Sequence, residues 1–168
     1  MPRLIKLQDR TAAWAEDDFV YVADEDELPA DGDVILSFAR FQNEGDGLLS
    51  EGRAVGVRLE ADQAVEDLAY DLPRLSLVAL NFPKFRDGRA YTSARLLRER
   101  YGFGGEVRAV GDVLREQAKF MVRCGFDAFE PADGSTPEQW AEASFRYRHV
   151  YQRGADDREP AYVQRGAE

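Results

Sequence analysis

Residues 75–94 read Leu75-Ser76-Leu77-Val78-Ala79-Leu80-Asn81-Phe82-Pro83-Lys84-Phe85-Arg86-Asp87-Gly88-Arg89-Ala90-Tyr91-Thr92-Ser93-Ala94, and they decide the fold class. The apolar run Leu75–Leu80 is short and bounded by Pro73 and Pro83, which suits a buried strand. After it, Ala94, Leu97 and Tyr101 keep one helical face, and Gly102 supplies a left-handed stop. The connection between them is therefore a strand-to-helix loop. It carries Lys84, Arg86 and Arg89 at the mouth of a helix whose first amides have no intrahelical partner, an arrangement suited to an anion.

Working outward, the same alternation recurs. Val34–Phe38 and Ala54–Glu60 read as strands, and Asp62 can cap a helix over Gln63–Leu72. Between the two strands, Asn43, Gly45, Asp46 and Gly47 predict a brief or interrupted helix. Downstream, Glu106–Val110 reads as a strand, Val113–Cys124 as a helix stopped by Gly125, and Phe126–Phe129 as a further strand. The last helix begins at Thr136, with Pro137 at its first position and Gln139 placed for a capping box, and its apolar side runs through Trp140, Ala143, Tyr147 and Tyr151.

The fold class that follows is α/β, a parallel sheet of alternating βα units with right-handed crossovers. The sheet is either open or curved like half of a (β/α) barrel, and the helix-stop-strand phrase Arg123–Asp127 favours the curved form. Residues 1–33 form a small N-terminal β extension expected at the periphery, with Phe19–Val22 as a short edge hairpin. Residues 34–152 are the α/β core and 153–168 a polar C-terminal tail, so 1–168 makes one domain, consistent with its length. A half barrel leaves strand edges unpaired, which predicts a homodimer or docking on another subunit.

Composition narrows the function classes. No apolar run approaches a membrane span, and Met1–Lys6 lacks the apolar stretch of a signal peptide, so a soluble cytoplasmic chain without membrane partners is expected. The lone Cys124 cannot supply the thiolates of an iron-sulfur cluster, and the lone His149 argues against a histidine-built zinc site, so no metal ligands are assigned. The net charge of −10 disfavours nucleic acid. Its distribution is uneven: residues 84–123 hold ten Lys and Arg against five acids, a local +5 that leaves −15 for the rest. Arg98, Arg100, Arg115, Lys119 and Arg123 are expected to decorate the solvent face of two helices.

The words FPKF, DGR, ARLLRERYG, the GE-RAVGDVL block and RCGFDAF occur here in this order. In these words the chain closely resembles a bacterial family, domain of unknown function 934, labelled as an oxidoreductase of sulfite reduction. The resemblance runs loosely over residues 34–152. It implies a role beside sulfite reductase or its electron donor in sulfur assimilation, and it implies no specific reaction.

The chemistry is expected where the strands end, since ligands of α/β proteins collect at that rim. The residues falling there are Glu60, the loop 84–93, Gly111-Asp112 and Glu130. Lys84, Arg86, Asp87, Arg89, Tyr91 and Ser93 form the candidate ligand site for an oxyanion such as sulfite or phosphate. Asp87 is alternatively a bridge to Arg86 or Arg89, and Tyr91 alternatively packing. Asp112 and Glu130 are the candidate acid or base residues, with helix capping and an arginine pair as their structural alternatives. The cofactor is unknown: Gly102–Gly105 follows a helix and precedes a strand, opposite to a dinucleotide fingerprint, and GxxxxGK[ST], CxxC and GxSxG are absent. Three functions follow: an accessory, partner-binding protein of sulfite reduction with an oxyanion-binding loop, a small-molecule oxidoreductase or lyase working at the rim, and a structural interaction module without a ligand.

Overall fold

The computed structural model describes residues 3–166. Among them, β1 (Leu4–Gln8) and β2 (Thr11–Ala15) form an antiparallel hairpin closed by Asp9 and Arg10, both at positive φ, the twist such a two-residue turn requires. There follow β3 (Phe19–Val22), β4 (Asp33–Ser37), α1 (Phe38–Ser50), β5 (Val55–Leu59) and β6 (Leu77–Phe82). Next come α2 (Arg89–Arg95), prolonged by a π-helical turn over Leu96–Arg100, then β7 (Glu106–Gly111) and α3 (Ala118–Cys124). The chain ends with β8 (Ala128–Phe129), α4 (Pro137–Phe145) and α5 (Ala161–Arg165).

All eight strands join one sheet in the order β2-β1-β8-β7-β6-β5-β4-β3. From β3 to β8 every strand lies parallel beside its predecessor in sequence, so each crossover steps in the same direction and the helices gather on one face. The sheet curls into a half barrel. The chain length between β2 and β3 shows why curling is obligatory. In a flat sheet these outer strands would be about 34 Å apart at the usual strand spacing. Residues 16–18, which join them, span at most about 14 Å.

Alternation along the strands sorts side chains between two cores. On the convex side Val34, Leu36, Val57, Leu59, Val78, Leu80, Phe82, Val107 and Phe129 pack against the helices in one large cluster. On the concave side Ile35, Leu77, Ala79 and Val110 form a smaller one, backed by Phe19 and Tyr21. β6 is buried along its whole length, which is why Leu77–Phe82 shows no polar alternation.

The concave face also carries a charge. Arg108, fully buried, donates to both oxygens of Asp17 at 2.7 and 3.0 Å, to Glu106 at 2.7 Å and to Glu130 at 3.1 Å. Burial alone would lower its pKa, but the Asp17 and Glu106 carboxylates more than offset that and hold it above the ordinary value. Tyr21, on the opposite sheet edge, donates to Glu130 at 2.8 Å. The barrel interior is thus closed by its own side chains, with the strap 16–18 laid across it.

The structure differs from expectation at several elements. β3 is a parallel edge strand beside β4 and forms no hairpin with its neighbours in sequence. Residues 4–22 contribute three of the eight strands. α1 runs for 13 residues through its glycines: the ring of Phe41 occupies the space a Cβ at Gly45 would need, 2.3 Å from its nearest atom, so that glycine serves packing. The helix expected over 63–72 is two short 3₁₀ turns, Val65–Leu68 and Leu72–Arg74, with no side-chain cap from Asp62. α4 keeps the expected Thr136–Gln139 capping box and ends at Phe145, short of Tyr151. Arg98 and Arg123 do not decorate a solvent face. Arg98 ties together the carbonyls of Gly125, Phe103 and Gly105 and the carboxylate of Asp127, while Arg123 holds Asp156 and the Gln152 carbonyl.

Candidate functional site: the rim loop after β6

The loop 83–88 leaves β6 at the carboxyl end of the sheet, and its backbone is fixed from β7 and α3. Gly111 adopts φ +92, and a Cβ there would meet the Phe82 carbonyl oxygen at 2.4 Å and Asn81 Oδ1 at 2.5 Å, so only glycine lets the chain turn this close to β6. That turn lets Asp112 donate its N–H to the Phe82 carbonyl at 2.8 Å and accept the Phe85 N–H on Oδ2 at 2.7 Å. Gln117 Nε2 then donates to the Phe85 carbonyl at 3.1 Å, while its Oε1 accepts the Leu114 N–H. Asp112 therefore anchors the loop, and the expected helix cap falls instead at Leu114.

On this frame the cations divide into two kinds. Arg89 is committed to Asp87, with Nε to Oδ1 at 3.0 Å and Nη2 to Oδ2 at 2.6 Å, and its own N–H reaches the same carboxylate. That guanidinium holds the Asp87 carboxyl down to about 2, well below the usual carboxylate range. Lys84 and Arg86 are exposed, and among the described residues neither forms an ion pair. Phe85 between them is 45% exposed. Tyr91 turns its ring onto Phe82 and Phe126, with centroids 5.2 and 6.4 Å away, and burial pushes its hydroxyl pKa up. Ser93 Oγ turns back to the Arg89 carbonyl at 3.5 Å. The structure thus places Lys84 and Arg86 on one open turn, pairs Arg89 with Asp87, packs Tyr91 against Phe82 and Phe126, and folds the Ser93 hydroxyl back onto its own helix.

The remaining rim carboxylates are engaged. Glu130 accepts from Tyr21 and Arg108, a strand arginine rather than a loop one. Glu60 accepts from Asn81 Nδ2 at 2.5 Å and lies 3.0 Å from Arg58 Nε. Tyr21, Ser37, Arg58 and Glu60, with Asp24, line a hollow of about 420 Å³ at the mouth of the half barrel, where Ser37 Oγ donates to Asp24 at 2.6 Å. Of this group sequence reasoning placed only Glu60 at the rim. Ser37 and Arg58 stand at alternate, concave-facing positions of strands, a period-2 signal available once the strand direction is known. Among the described residues no group of three or more His, Cys, Asp or Glu is placed to hold a metal ion, and no helix is long and apolar enough to cross a membrane.

Fold and rim together define an α/β half-barrel protein with a rigidly mounted cationic loop at the carboxyl end of its sheet. The sequence model of a family described as "Bacterial protein of unknown function (DUF934)" matches residues 56–162, and the chain belongs to that family. The match runs from β5 into the start of α5 and includes the whole loop and both of its anchors. No curated protein matches the chain.

Proposed function

We propose that the protein is a partner-binding accessory protein of the sulfite reductase system, and that the loop 83–88 is its anion-binding element. One observation carries the reading: Lys84 and Arg86 stand exposed, and unpaired among the described residues, on a turn whose backbone is held by Asp112 and Gln117. A mobile surface lysine loses much of its attraction to the entropy of ordering, whereas a turn already fixed at its backbone loses less. Support for a binding role over rim catalysis comes from Asp112 and Glu130, both already committed to protein partners. The link to sulfite reduction rests on the family resemblance of the words around the loop.

The test has two arms. Sulfite, sulfate and phosphate should each raise the melting temperature of the wild type, by mass action on the folded state, and Lys84→Ala/Arg86→Ala should abolish the effect. Pull-down at native expression levels should bring down sulfite reductase or its electron donor. A wild type indifferent to all three anions would remove the anion-binding reading. Repeated absence of the reductase and its donor would remove the pathway.

A further inference from the structure

The loop is not the end of the cationic surface. Gln117, which holds the Phe85 carbonyl, sits one turn before Phe120 on the same helical stretch. Phe120 lines an open groove between α3 and α4, together with Arg115, Lys119, Arg146 and Tyr147, and its volume is about 640 Å³. Two of its walls are exposed aromatics, Phe120 at 63% and Tyr147 at 55%. Lys119 Nζ lies 4.2 Å from the centre of the Tyr147 ring. Arg115 lies 3.9 Å from Glu116 in a loose pair, whereas among the described residues Lys119 and Arg146 form no ion pair, although Glu142 also lines the groove.

We propose that this groove is a docking site for an acidic peptide segment of a partner protein, one that carries an aliphatic or aromatic side chain between carboxylates. The inference rests on the partner-binding reading and names the surface and the chemistry of the partner. Phe120 is presented on α3 and Tyr147 lies just past the end of α4, and exposed aromatics bordered by Arg and Lys are the composition of interface centres. The partner's apolar residue covers Phe120 and Tyr147, and its carboxylates meet Arg115, Lys119 and Arg146. Glu116 and Glu142 line the same walls and accept the partner's backbone N–H groups. They also disfavour a nucleic acid or an anionic membrane, whose unbroken array of phosphates would lie against both acids.

The experiment uses the full chain labelled with nitrogen-15 and a synthetic peptide of alternating Glu and Leu, with the corresponding Lys and Leu peptide, oligothymidylate and phosphatidylglycerol vesicles as comparison probes. The Glu peptide should shift the amides of residues 115–120 and 142–147, and the Lys peptide should leave them unmoved. Lys119→Glu and Phe120→Ala should each weaken binding about tenfold at unchanged melting temperature, since neither side chain belongs to the core. Unchanged affinity in both variants overturns the proposal, as does tighter binding of the oligonucleotide or the vesicles. The loop stands or falls on the inorganic anions and the groove on the peptide, so the two readings fail separately.

Discussion

Replacing Arg108 with methionine tests whether the concave face is held by charge. The side chain is fully buried and carries hydrogen bonds to Asp17, Glu106 and Glu130, which are themselves at most 18% exposed. Methionine fills similar volume but leaves three carboxylates in a low-dielectric hollow, met among the described residues by Lys6 on Glu106, the Tyr21 hydroxyl on Glu130 and the Phe19 N–H on Asp17. Removing one partner of a buried ion cluster costs about 3–5 kcal/mol. In a domain of this size each kcal/mol moves the melting temperature by about 2–4 °C, so a fall of roughly 6–20 °C is expected near neutral pH. Urea unfolding of both proteins at neutral pH reads this directly. Equal stability of the two would refute the account. The triple variant Arg108→Met/Asp17→Asn/Glu130→Gln should recover part of the loss.

Two further outcomes follow from the loop. Gly111→Ala forces a Cβ against the Phe82 carbonyl at positive φ, and should destabilise the fold by about 1–3 kcal/mol, seen as a lower urea midpoint, and loosen the Phe85 amide in hydrogen exchange. Asp87 should titrate near 2 in a carboxyl-detected NMR titration and return toward the ordinary carboxylate range in Arg89→Ala. Its depressed value means that its contribution is present above the unfolded-state pKa and is lost as pH falls through about 2.

Much of the α/β core was legible because each of its strands is a short apolar run between turn residues, and because Gly102 and Gly125 take the left-handed conformations expected of helix stops. The capping box at Thr136 was equally local. What escaped was non-local. Nothing in Phe19–Val22 announces that its partner is a parallel strand beginning at Asp33, since the pairing depends on a short strap that bridges the two edges of the curled sheet. Arg108 counted as one more positive charge in a basic block, yet it faces inward between Val107 and Ala109, and its neutralising Asp17 lies 91 residues away. Gly45 and Gly47 spoke for an interrupted helix by propensity, and the packing of Phe41 overrode them. At the site, the cationic loop could be read from its residues, but the division of labour between Arg89, tied to Asp87, and the open Lys84 and Arg86 needed the geometry.

The pairing of β1 with β8 has a consequence for synthesis. The hairpin 4–15 is synthesised long before its partner strand, Ala128–Phe129, the last of the eight strands to be made. Until then its apolar face has nothing to cover it, and contacts of such sequence separation are slow to close. A nascent chain stalled before Phe129 should therefore hold a protease-sensitive hairpin and recruit holdase chaperones, and the same segment should become resistant once the final strand has emerged.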